Sequence, residues 1–231
     1  MHLRRALTAL GIASALALST SAEAQLTQIG GVLDQSGGGL GAQATVLTLQ
    51  TPGNATTGTG CVSPTGFANC GFPNSTVQQG QSQVVAASTF PGLTANNFRI
   101  VFNAAEPGNA ENGITLNNLV VTLYGSGNNT FSTGALTAPV NLTPLAGVGN
   151  YGFVFGLTNP TEIAAFNAFL LANPTATIGV GAQISNAQGG LETFAIATSS
   201  GPGTVVPEPS TYLLMATGLV AVGLIARRRA A

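Results

Sequence analysis

The chain has 231 residues, enough for one domain or slightly more. It is 45% hydrophobic and only 6% charged, with 31 Gly and no Trp; all six basic residues are Arg, five of them at the two ends. Residues 25–206 hold one base (Arg99) against five acids (Asp34, Glu106, Glu111, Glu162, Glu192), a net charge of −4, which excludes binding to a phosphate backbone.

The only His, His2, lies ahead of that body, so no imidazole is left for a triad, a metal site or general-base work at neutral pH. The first 24 residues have the form of a secretory signal. Arg4 and Arg5 give a positive start, Ala6 to Leu18 is an apolar run, and Ala22-Glu23-Ala24 places small residues for cleavage between Ala24 and Gln25. A signal helix removed by signal peptidase is expected here.

The body opens with Gly30-Gly31 and Gly37-Gly38-Gly39. Asp34 stands between them, outside any regular calcium-binding Gly-Asp repeat. Short runs with strand character then recur between Gly, Asn and Pro turn signals: Ala44–Leu49, Ser82–Phe90, Asn97–Asn103, Thr115–Tyr124, Tyr151–Leu157, Thr177–Ile184 and Leu191–Ala197. Phe98, Ile100 and Phe102 alternate with Arg99, Val101 and Asn103, the period of a half-buried strand. Residues 186–190 (Asn-Ala-Gln-Gly-Gly) read as a hairpin loop joining the last two runs. The expected fold is mainly β, an antiparallel sandwich of jelly-roll or immunoglobulin-like type over residues 25–198. One segment departs from it: Asn159 can cap a helix, Pro160 suits its first turn, and Glu162 suits its dipole. Ile163, Phe166, Phe169 and Leu170 share a face, and Asn173-Pro174 ends the helix, which is expected to close one end of the sandwich.

Candidate chemistry in the body is sparse. Cys61 and Cys70 are the only cysteines, and export would place them where an even count favours a disulfide. Closing that short ring is worth ~2.5–3 kcal/mol in the chain-entropy model. Glu106 and Glu111 are the only close carboxylate pair; they read as an acidic surface loop, with weak calcium binding or glycosidase chemistry as the functional alternatives. Arg99 can pair with a carboxylate or lie on the polar face of its strand. The formal sequons at Asn54, Asn74, Asn128 and Asn141 receive no function. No cofactor is expected, and the body is expected not to be an enzyme.

Residues 199–206 form a Gly/Pro/Ser linker, followed by Pro207-Glu208-Pro209, whose two prolines hold a stiff, extended tripeptide. Thr211 to Ala226 is uncharged and apolar, and Arg227-Arg228-Arg229 follows at once. As a helix, these residues reach ~24 Å, short of a ~30 Å hydrocarbon core, but the Arg cluster is a cytoplasmic stop signal. This order, Pro-Glu-Pro, apolar helix and terminal Arg cluster over residues 207–231, resembles the PEP-CTERM sorting domain of Gram-negative exported proteins. The resemblance implies that Pro207, Glu208 and Pro209 are read by exosortase, a membrane-embedded cysteine transpeptidase. It implies likewise that Thr211–Ala226 is a transient transmembrane anchor in the inner membrane and that Arg227–Arg229 stays in the cytoplasm. It also implies a destination at the cell surface or in the extracellular matrix, in an exopolysaccharide or biofilm setting. The rival expectations are a carbohydrate- or calcium-binding surface module and a secreted hydrolase.

Overall fold

A computed structural model describes residues 26–29, 33–34, 40–51, 55–67, 72, 76–104, 113–143, 151–188 and 190–199. Among the described residues, twelve strands and one α-helix follow in chain order: β1 (Leu26–Gln28), β2 (Leu33–Asp34), β3 (Leu40–Gln50), β4 (Gly58–Cys61), β5 (Val85–Ala86), β6 (Phe98–Asn103), β7 (Ile114–Tyr124), β8 (Thr130–Ser132), β9 (Val140–Leu142), β10 (Tyr151–Leu157), α1 (Pro160–Ala172), β11 (Thr177–Ser185) and β12 (Leu191–Ser199). They form two antiparallel sheets. The first has the order β1-β10-β6-β12-β3, with β2 also on β10; the second has β4-β11-β7-β8, with β5 on β11 and β9 on β7.

The expected mainly-β antiparallel fold with one helix is present. Both sheets contribute to a single apolar core, because alternation sends Phe98, Ile100 and Phe102 of β6, and Phe194 and Ile196 of β12, toward Leu119, Val121 and Leu123 of β7. Phe102 and Phe194 are direct cross-strand partners, and their rings stack at 4.4 Å. The opposite face of β6 holds Val101, which packs with Val154 and Ala197 in a separate small cluster.

Two bulges keep the core in phase. In β7, the register slips so that Ile184 opposes Leu116 while Gln183 opposes Asn118. Asn117 is thereby the extra residue, and Leu116 and Leu119 are both buried despite an odd spacing. In β3, the slip opposite Phe194 and Ala195 leaves Val46 as the extra residue, which lets Leu47 and Ala44 both turn inward.

Two local expectations are corrected. Ser82–Phe90 is not a strand: only Val85–Ala86 pairs, flanked by 3-10 turns at Gln79–Gln81 and Ala87–Thr89. The turns bury Ser82, Val85, Ala87 and Phe90 at a spacing no single strand could give. Residues 186–190 are not a hairpin loop, since β11 and β12 belong to different sheets. Each already has a partner on both sides, β11 between β4 and β7, β12 between β6 and β3. The loop instead carries the chain across the sandwich, with Asn186 and Gly190 at positive φ and buried Ala187 donating its N–H to Thr56 O.

The helix forms where the sequence places it. Thr161 N donates to Asn159 Oδ1 at 2.9 Å, and Pro160 takes the first position. Phe166 is fully buried, 5.1 Å from Phe98 of the first sheet and 5.8 Å, edge-on, from Phe131 of the second. The helix thus plugs the gap between the sheets at that end. Its C-terminal turn lies so close to the end of β7 that a Cβ on Gly125 would stand 2.3 Å from Asn173 Oδ1.

Candidate functional site

Most of the sequence-predicted functional residues lie outside the described residues: Ala24 and Gln25, Cys70, Glu106 and Glu111, Pro207-Glu208-Pro209, Thr211–Ala226 and Arg227–Arg229. Asp34 falls in β2, its backbone opposite Tyr151. Cys61 is buried in β4 opposite Gly181, and no described cysteine is free. Among the described residues no group of three or more His, Cys, Asp or Glu could hold a metal ion, and no helix is long and apolar enough to cross a membrane.

Arg99 resolves toward the second of its two readings. It lies on the outer face of the first sheet, and its Nη1 donates to the carbonyls of Asn96 at 2.8 Å and Phe98 at 2.7 Å. Partial burial lowers its pKa from the usual arginine value. The guanidinium therefore closes the turn that leads into β6.

Two acids are buried where the sequence pattern gave no sign of it. Glu192 shares the inner face of β12 with Phe194 and Ile196 and is fully buried. Glu162, in the first turn of α1, is also buried, and burial pushes its carboxyl up from the ordinary glutamate value. The helix dipole favours a negative charge at that place, and desolvation acts against it.

A concavity on the outer face of the first sheet encloses about 420 Å³. Its floor is Thr45 and Thr48 of β3 with Thr193 of β12; its wall is the segment Gln79-Gly80-Gln81-Ser82-Gln83. Thr48 and Thr193 are direct cross-strand partners, and the bulge at Val46 is what returns Thr45 to the same outer face. The wall is held by backbone bonds along the free edge of β3: Gln50 N to Thr76 O, Gln78 N to Thr48 O and Gln83 N to Val46 O, all 2.9–3.0 Å. Ser82 adds a side-chain link, accepting from Thr48 N at 2.9 Å, and Thr48 Oγ1 donates to Gln81 O at 3.3 Å.

The Val46–Gln50 part of an edge that could template pairing with another chain is thereby covered by the chain's own segment. The sequence marked none of these residues as functional. Its only available signal was the unusual density of Gln in Gln78-Gln79-Gly80-Gln81-Ser82-Gln83.

Fold and surface define a two-sheet antiparallel β domain whose described outer face carries a polar, uncharged groove. Beyond that body, residues 205–229 match the family described as the PEP-CTERM protein-sorting motif. The match takes in Pro207-Glu208-Pro209, the apolar stretch Thr211–Ala226 and Arg227–Arg229, the three parts read from the sequence, and covers the tail alone. The motif marks an exported protein sorted by an exosortase. Comparison with curated proteins and with solved structures found no match for the chain.

Proposed function

We propose that this chain is a non-enzymatic surface protein of a Gram-negative bacterium, with a structural or adhesive role in an extracellular matrix linked to exopolysaccharide. The carrying observation is the order of the tail, Pro207-Glu208-Pro209, apolar stretch, Arg227–Arg229, within the matched sorting motif. At the other end stands Arg4-Arg5, an apolar run and Ala22-Glu23-Ala24, the form of a cleavable export signal.

In this reading signal peptidase cuts after Ala24 and the β body folds outside. The Thr211–Ala226 segment holds the chain in the inner membrane until exosortase acts at the tripeptide. The composition fits a protein meant to persist there. A body with no Lys, one Arg and no His offers few groups for acid–base chemistry, while a sandwich with a closed edge is a durable scaffold. Cys61 and Cys70 are proposed to join in the oxidising compartment, tying the loop after β4 to the sheet. Fractionation with C-terminal peptide mapping, in strains with and without the sorting enzyme, tests the central claim. Loss of the apolar tail from the surface form only where the enzyme is present supports it; an intact tail in both strains overturns it.

A further inference from the structure

We infer that the groove formed by β3, β12 and the Gln79–Gln83 segment binds an uncharged, hydroxyl-rich ligand, a neutral saccharide segment. The groove's lining is three Thr, three Gln, one Ser and one Gly, with no charged and no aromatic residue. An ionic ligand would find no counter-charge there, and a lipid or apolar ligand no apolar wall. Its volume, about 420 Å³, falls within the ~300–1,000 Å³ of small-molecule sites.

The groove divides into groups that are used and groups that are free. The hydroxyls of Thr48 and Ser82 are spent on fixing the wall to β3. Gln79, Gln81 and Gln83 are exposed, and their carboxamides have no hydrogen-bond partner among the described residues. Each carboxamide presents an acceptor oxygen beside a two-proton donor, the complement of neighbouring sugar hydroxyls, which also both give and take hydrogen bonds. Backbone bonding fixes the segment that carries these three amides, so binding need not order the main chain first. An extended peptide is a poor alternative, because the β3 edge that it would pair with is already taken by residues 76–83.

Without an aromatic platform each site binds weakly, and many copies on one surface would supply avidity along a polymer. This inference gives a ligand class to the adhesive role proposed above and rests on that reading only for its biological setting. Glycan binding and tail processing are separate readouts, so either can fail while the other stands.

The experiment is affinity electrophoresis and saturation-transfer NMR on the complete mature exported protein. The neutral probes are dextran, mannan and cello-oligosaccharides; alginate is the acidic control. The expected result is retardation by at least one neutral glycan, weaker or absent retardation by alginate, and a fall in association constant of at least about tenfold in the triple variant Gln79→Ala/Gln81→Ala/Gln83→Ala. Because the three side chains are exposed and bond to none of the described residues, that variant should unfold at the wild-type temperature. Thr193→Val, which removes one floor hydroxyl at nearly constant volume, should weaken the same glycan contact. Failure of every neutral probe to bind, preference for alginate, or equal binding by the triple variant and wild type would each overturn the inference.

Discussion

Ser82 Oγ stands between the two backbone groups of Thr48, accepting from its N–H at 2.9 Å and lying 3.4 Å from its carbonyl oxygen, to which it donates. A side chain thus takes the place that a neighbouring strand would take along the edge of β3. The segment can then bulge away as a 3-10 turn without leaving Thr48 unsatisfied. Both residues are buried, so Ser82→Ala would strand a buried donor, at a cost of about 1–3 kcal/mol. The expected outcome is a lower melting temperature together with faster amide exchange at Thr48 and Gln83. Wild-type exchange at Thr48 would show that the serine is not what closes this edge.

The fully buried ring of the helix is Phe166, beside partly buried Ile163, Phe169 and Leu170. Phe166 is fully buried against Phe98 and Phe131, whereas Leu171, five residues on, is 87% exposed. Phe166→Ala should cost ~3–5 kcal/mol, and Leu171→Gln less than about 0.5 kcal/mol. Chemical denaturation of the two variants measures both. Comparable losses would mean that the helix does not plug the sandwich through this face.

Tyr151–Leu157 is read with the strand bounds that the structure shows, and Asn159-Pro160 with the helix start, because periodicity, capping and proline geometry are local causes. The false hairpin at residues 186–190 has a non-local cause. Between β3 and β12 the chain passes repeatedly from one sheet to the other, so sequence neighbours such as β11 and β12 are partners of other strands. The true hairpin, β7 to β8, turns at Gly127 and Asn128, both at positive φ (65° and 64°), a Gly-Asn signal the sequence does contain. The groove was not legible because it depends on a bulge at Val46 and a 3-10 turn, which no alternation pattern encodes. The sorting motif of the tail was legible, since it lies in residue order rather than in tertiary contact.

Glu162 gives the fold a pH dependence of definite sign. Burial raises its folded-state pKa above the unfolded value, so the folded chain binds this proton more tightly. The protonated form's advantage is complete below the unfolded pKa and is lost as pH rises through the folded one. Glu162→Gln, which keeps the neutral shape at all pH values, should therefore be more stable than wild type at pH 7. The gap should close as the solution is acidified below the ordinary glutamate range. Thermal melts from pH 3 to pH 8 measure this; a variant less stable than wild type at pH 7 would show that the helix dipole outweighs burial after all.

Cys61 is buried opposite Gly181 on β4, the edge strand of the second sheet, and a buried side chain is a poor place for a reactive thiol. Peptide mapping of unreduced, alkylated exported protein should recover it linked to Cys70. Cys61→Ser with Cys70→Ser should lower stability by ~2.5–3 kcal/mol in the chain-entropy model, before any loss of packing. Recovery of both residues as alkylated thiols would remove the link from the picture.

The tail offers the sharpest separation of roles. Pro207 and Pro209 restrict φ and lack two backbone donors, a sequence feature that disfavours helix at the border of the apolar segment. Replacing both by Ala would let helix run upstream from Thr211 and hide Glu208 within a helical turn. Recognition should then fail, and full-length precursor should collect in the inner membrane. In the proposed reading Arg227–Arg229 has a different task, since three cationic groups resist transfer across a bilayer and would hold the C-terminus inside. Neutralising all three should leave the tripeptide intact but let the short apolar segment slip, giving precursor outside the inner membrane rather than within it. Pulse-labelling with fractionation and C-terminal mapping separates the two outcomes. If both variants were processed like wild type, neither proline rigidity nor the Arg cluster would be part of what the sorting enzyme reads.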